Sequence, residues 1–131
     1  MARILMIEDT PEMQRLYQLG LERSGHTVDV VGSAGEGLTR IDSGETYDVV
    51  LLDLMLMGMS GLDFLKQSQV KTRHPQTKLV VLTNVDNAEI MERVKAQGVD
   101  EYIVKANTDP LRLAKLLTDL TKPAPGPAAT T

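Results

Sequence analysis

The 131-residue sequence predicts a doubly wound α/β domain, a five-stranded parallel sheet in the order 2-1-3-4-5 with five helices on its two faces. Two observations carry this expectation. Five short apolar runs alternate with longer stretches of helical period, a strand–helix rhythm that calls for parallel strands joined by right-handed crossovers. The runs also differ in character. Residues 49–52 (Val-Val-Leu-Leu) are apolar throughout, as suits a central strand covered on both faces, whereas residues 26–30 (His-Thr-Val-Asp-Val) mix in polar groups and suit an edge.

Taken in order, the strands fall at residues 4–7, 28–31, 49–52, 79–82 and 102–104. The first helix starts at Pro11, where a proline is tolerated, and stops at Gly25. Met13, Leu16, Tyr17, Gly20 and Leu21 follow the spacing of one buried face. Ser33 with Glu36, and Asp86 with Glu89, have capping-box spacing and open the second and fourth helices, which Gly44 and Gly98 close. Ser60 or Gly61 opens the third, with Leu62 and Leu65 turned inward. Asp109-Pro110 starts the fifth, which buries Leu113, Ala114, Leu117 and Leu120. The folded domain is expected over residues 1–121. Residues 122–131, with three prolines, cannot add to a core and read as a disordered tail or a truncated linker.

Composition removes several classes of function. A net charge of -4 with scattered basic residues argues against direct nucleic-acid binding, and one Phe, three Tyr and no Trp argue against a base-stacking platform. The absence of cysteine excludes disulfides, thiolate zinc sites and thiol catalysis. Only four apolar residues separate Met1-Ala2-Arg3 from Glu8-Asp9, too few for a signal peptide or a membrane span. A cytoplasmic protein is expected. His26 and His74 read as ordinary surface residues.

The chemistry gathers at the carboxyl ends of the strands, the edge outside which such sheets place ligands. The first strand ends in Glu8-Asp9, the third in Asp53, the fourth in Thr83 and the fifth in Lys105. Singly, each has a bland reading: Thr83 as a turn residue, Lys105 as a solvated charge, Glu8-Asp9 as helix caps. Asp53 resists it, because it ends a wholly apolar run. Strands one and three are neighbours in the expected order, so Asp9 and Asp53 lie close with Glu8 beside them. Two carboxylates about 5 Å apart repel by roughly 3 kcal/mol at an effective dielectric near 20. A cation relieves that repulsion, and an all-oxygen donor set selects Mg²⁺ first and Mn²⁺ next. Lys105 and Thr83 add a positive charge and a hydroxyl donor. Together with the metal they could hold the oxygens of a phosphoryl group on Asp53.

These paired acids, the segment Asp53-Leu-Met-Leu-Met-Gly-Met-Ser-Gly61, Thr83 and Lys105 resemble the receiver domains of bacterial two-component response regulators over about residues 3–121. The fold so implied is flavodoxin-like. The resemblance implies that Asp53 is the phosphoacceptor, and that Asp9, Asp53 and the Met55 carbonyl bind Mg²⁺, with Glu8 acting directly or through water. It further implies that Thr83 and Lys105 contact the phosphoryl oxygens, and that Tyr102 is an aromatic switch moving with Thr83. A histidine kinase or histidine phosphotransfer protein would supply the phosphate. A downstream protein target would bind the fourth helix, fifth strand and fifth helix, the face where a homodimer would also form. With no output domain following, output would pass through protein contacts or a missing segment. Such a domain is a switch and not an enzyme, beyond phosphorylating itself and slowly losing the phosphate.

Three positions depart from the family pattern. Met57 and Ala106 stand where proline is frequent, and Asn84 where the residue is commonly small. A cis bond before a non-proline residue costs about 2.5–4 kcal/mol, so the Lys105–Ala106 bond is expected trans or strained. Met55 and Val85 offer no polar group to orient water, which predicts slow loss of phosphate. Three other readings weigh less. An aspartyl phosphatase of the haloacid dehalogenase class wants a second Asp where Met55 stands. A flavodoxin-like cofactor binder wants a phosphate loop where Glu8-Asp9-Thr10-Pro11 would repel phosphate. A degenerate, phosphorylation-independent interaction module is disfavoured by the complete set of acids, Thr83 and Lys105.

Overall fold

A computed structural model describes residues 2–122; beyond Lys122, the expected Pro/Ala-rich tail lies outside the described residues. Five strands form one parallel sheet: β1 (Arg3–Ile7), β2 (Thr27–Val31), β3 (Val49–Leu52), β4 (Lys78–Thr83) and β5 (Glu101–Val104). Their order is β2-β1-β3-β4-β5, with Ile7 opposite Leu52, Leu52 opposite Val81 and Thr83 opposite Val104. The expected doubly wound order is thus observed, with the mixed-polarity β2 at one edge and the apolar β3 at the centre.

Alternation along the strands divides the core in two. Leu5, Ile7, Val50, Leu52, Leu79 and Val81 face helices α2 (Ala34–Asp42), α3 (Gly61–Ser68) and α4 (Ala88–Lys95). Ile4, Met6, Val49, Leu51, Val80 and Leu82 face α1 (Pro11–Arg23) and α5 (Pro110–Thr121). Side-chain caps set the helix starts. Ser33, Ser60 and Asp109 accept from the N–H groups of Glu36, Asp63 and Arg112.

Several local expectations change. Asn87, not Asp86, caps α4, because its side-chain oxygen takes the Ile90 N–H at 3.1 Å. Leu16 is half exposed, since α1 buries only the narrower stripe of Tyr17 and Leu21. In α3 the principal buried side chain is Phe64, with Leu65 beside it and Leu62 only partly covered. Leu120 is likewise only partly covered. Past Ser68, Gln69 takes a left-handed conformation (φ 49°) that ends α3 and starts a single helical turn, Val70–Arg73.

Neither histidine is an ordinary surface residue. His26 is buried, its Nδ1 accepting the Ala2 N–H at 3.1 Å while Nε2 lies 3.1 Å from the Ala114 carbonyl and 3.0 Å from the Thr118 hydroxyl. That ring joins Ala2, just before β1, to α5. His74 is half-buried, and its Nε2 has no hydrogen-bond partner among the described residues.

Candidate functional site

Strand register brings the acids together. Ile7 and Leu52 are paired, so Glu8 and Asp53 are the next residues at the carboxyl edge, where the Asp53 N–H donates to the Ile7 carbonyl at 3.2 Å. Both acids are buried. Lys105, the first residue past β5, crosses over β4 to reach them. Its Nζ donates to Glu8 Oε1 at 2.7 Å and to Asp53 Oδ2 at 2.8 Å, with all three side chains less than a tenth exposed. Burial works against the ammonium, but the hydrogen bonds and charges of Asp53 and Glu8 outweigh it and hold the Lys105 pKa above its ordinary value.

The remaining carboxylate oxygens are held by loop backbone. Asp53 Oδ1 accepts from the Met55 N–H at 3.0 Å, Asp9 Oδ2 from the Met57 N–H at 3.1 Å, and Glu8 Oε2 from the Thr10 N–H at 3.1 Å. The β3–α3 loop, residues 53–60, therefore grips two acids from two different strands. Its return is close: a side chain at Gly61 would sit 2.6 Å from the Leu54 Cα and 2.7 Å from the Asp53 carbonyl oxygen, which only glycine avoids. On the other side, the Gln14 side-chain amide donates to the Glu8 carbonyl at 2.6 Å, fixing the β1–α1 loop from within α1. Nothing in the sequence pattern announces that brace.

A cleft of about 280 Å³ opens over this cluster, lined by Thr10, Met13, Asp53, Met55, Asn84 and Lys105. Thr83 stands at the end of β4, fully buried, and its hydroxyl accepts the Val85 N–H at 3.3 Å. Asn84, next in the chain, lines the cleft instead. The hydroxyl of Tyr102 donates to the Val85 carbonyl at 2.6 Å, so Thr83 and Tyr102 meet the two faces of one residue. Partial burial, with the charges of Asp86 and Asp53 adding to it, raises the Tyr102 pKa. No peptide bond among the described residues is cis; after Lys105 the chain makes a 3₁₀ turn, Lys105–Asn107.

The donor set suits a hard cation, for the acids Glu8, Asp9 and Asp53 offer oxygen and the chain has no cysteine. Among the described residues, no three acidic or imidazole side chains are yet drawn together as a metal cage. The geometry explains this, because Lys105 holds Glu8 and Asp53 while Asp9 is turned to the Met57 N–H. One ammonium against the two carboxylates of Glu8 and Asp53 leaves the bridge short of positive charge.

Comparison with known proteins gives the family. Residues 4–118 match the response regulator receiver domain family. The chain is 32% identical over 105 residues to the transcriptional regulatory protein TcrA of Mycobacterium tuberculosis, covering 79% of this chain and 40% of TcrA. It is 34% identical over 107 residues to the response regulator ArlR of Staphylococcus epidermidis, covering 80% of this chain and 46% of ArlR. It thus spans less than half the length of these relatives. The crystal structure of a CheY-like response regulator receiver domain protein from Methanospirillum hungatei superposes with a TM-score of 0.82 at 27% identity, over 91% of this chain and 92% of that one. From residue 4 to residue 118, the chain belongs to the receiver domains of two-component response regulators.

Proposed function

We propose that residues 1–121 form a phosphoacceptor switch whose acceptor is Asp53. The observation that carries this reading is the Lys105 ammonium held between Glu8 and Asp53 at the carboxyl edge of the sheet. The Asp53 carboxylate attacks the phosphorus of a phosphohistidine on a histidine kinase or phosphotransfer protein. An Asp53 O–P bond forms as the donor's N–P bond breaks, and the bonding pair leaves with the imidazole. Lys105, already bonded to Asp53, turns its donors to the phosphoryl oxygens, and the Thr83 hydroxyl exchanges the Val85 N–H for the same group.

Asp9, Asp53 and the Met55 carbonyl would hold Mg²⁺, or Mn²⁺ in its place, with Glu8 acting directly or through water. When bound, the ion neutralises carboxylate and phosphoryl charge. The Thr83–Val85–Tyr102 contacts then relay the change to the face made by α4, β5 and α5. That face is suited to respond. α4 buries only Val94, and every residue of β5 is partly exposed, so both elements are lightly anchored. A downstream protein, or a second copy of the domain, would bind there, without direct contact to nucleic acid. No helix among the described residues is long and apolar enough to cross a membrane, and we place the switch in the cytoplasm with its kinase.

The test is intact mass after incubation with Mg²⁺ and acetyl phosphate, with Asp53→Asn alongside. One phosphoryl adduct on the parent, dependent on Mg²⁺ and absent from the variant, is expected. An adduct that persists in Asp53→Asn would overturn the acceptor. No adduct from either acetyl phosphate or a phosphorylated histidine donor would point to a phosphorylation-independent module.

A further inference from the structure

The chain has seven methionines and no cysteine, so thioethers are its oxidisable sulfur. Their exposure differs with position, and Met13, Met59 and Met91 are half-buried. Met6 is 2% exposed inside the sheet, whereas Met55 and Met57 are 66% and 84% exposed on the loop that grips Asp53 and Asp9. Met55 also lines the cleft beside Asp53 and Lys105. The phosphoacceptor reading uses the Met55 and Met57 backbones and leaves their side chains without a task. Among the described methionines these two are the most open to solvent.

We propose that Met55 and Met57 form an oxidation site for peroxide-class oxidants, one that alters the Asp53 cleft while the fold stays intact. The thioether sulfur attacks the peroxide and its O–O bond breaks. One oxygen becomes the sulfoxide, the other leaves as water, and sulfur loses the two electrons that the peroxide gains. Both side chains are open to solvent, so the reaction needs no unfolding. A sulfoxide is polar and accepts hydrogen bonds where the thioether barely does, and methionine sulfoxide reductases reverse it. At Met55 the new oxygen faces the cleft, where it can orient a water toward a phosphoryl group on Asp53. This last step rests on the phosphoacceptor reading, and there the sulfoxide shortens the life of the phosphoryl group.

The experiment treats the folded chain with limiting hydrogen peroxide and locates added oxygen by peptide mass spectrometry. Oxygen on Met55 and Met57 ahead of Met6, removed again by reductase, is expected, together with shifted amide resonances of Met55 and Met57. Equal oxidation of Met6, or a loop that stays unoxidised, would overturn the site whether or not Asp53 accepts phosphate. On phosphorylated protein, oxidation is expected to speed phosphoryl loss several-fold, and Met55→Leu should abolish that acceleration. Identical decay before and after oxidation would overturn the coupling. If the unoxidised parent takes no phosphoryl group at all, the acceptor reading fails, and the site is judged on the mass and resonance results.

Discussion

Two charged clusters sit at opposite ends of the same sheet, and they are built differently. Toward the amino ends of the strands, Arg3 pairs with Asp29 at 3.1 Å and Glu45 at 3.0 Å, while Arg40 lies 3.5 Å from each of the same two acids. The Tyr47 hydroxyl donates to Asp29 at 2.9 Å, and the Arg3 guanidinium lies 4.6 Å above the Tyr47 ring centre. Two cations meet two anions there, and their side chains are 28–40% exposed. At the carboxyl edge, one buried ammonium serves two buried carboxylates, Glu8 and Asp53, with Asp9 turned aside to the Met57 N–H. A balanced, solvated cluster is already at rest and acts as a fastening. A buried cluster lacking positive charge stores repulsion, and it releases that repulsion when a cation arrives.

Substitutions can break this contrast. Lys105→Met leaves Glu8 and Asp53 buried without a counter-charge and should cost about 2–5 kcal/mol of stability in denaturant titration. Magnesium should recover part of that loss; a variant as stable as the parent would show that the cluster holds no excess repulsion. Mg²⁺ at a hundredfold its dissociation constant should stabilise the parent by about 2.7 kcal/mol, read as a rise in melting temperature. Asp9→Asn should remove most of that metal effect. A metal response unchanged by Asp9→Asn would take Asp9 out of the ligand set.

The fastening should respond least. Asp29→Asn is expected to cost about 0.2–1 kcal/mol, the range of partly exposed ion pairs. Burial opposes the Asp29 charge, but the Tyr47 hydroxyl and Arg3 outweigh it and lower its pKa below the ordinary 3.8. A lowered carboxylate pKa contributes stability above the unfolded value, lost as pH falls through the folded one. Parent and variant should therefore differ at neutral pH and converge below about pH 4. Curves that stay parallel through that window would remove Asp29 titration from the acid response.

Of the two clusters, the one at the carboxyl edge is legible in the sequence, and the reason lies in strand geometry. A polar residue that ends an apolar run in a parallel sheet must emerge at the shared edge, so Glu8, Asp9, Asp53, Thr83 and Lys105 announce their neighbourhood without coordinates. Which acid takes which partner is different. The sequence draws Asp9 toward Asp53, whereas the fold pairs Glu8 with Asp53 through Lys105 and turns Asp9 to the Met57 N–H. That choice depends on loop backbone, which has no periodicity to read. Gln14 at the Glu8 carbonyl and His26 between Ala2 and Ala114 escape notice for a related reason. Each answers a backbone group whose position only the finished fold determines.

The His26 junction bears on how the chain is made. One face of the sheet is covered by α1 and α5 alone, and Leu113, Ala114 and Leu117 of α5 complete its core. During synthesis at about 5–20 residues per second, that face stays half-covered until α5 leaves the ribosome. Until then Ile4, Met6, Val49 and Leu51 lack half their cover, and His26 lacks the Ala114 carbonyl. A nascent chain stalled before residue 113 should therefore bind chaperones, and one released past residue 121 should not.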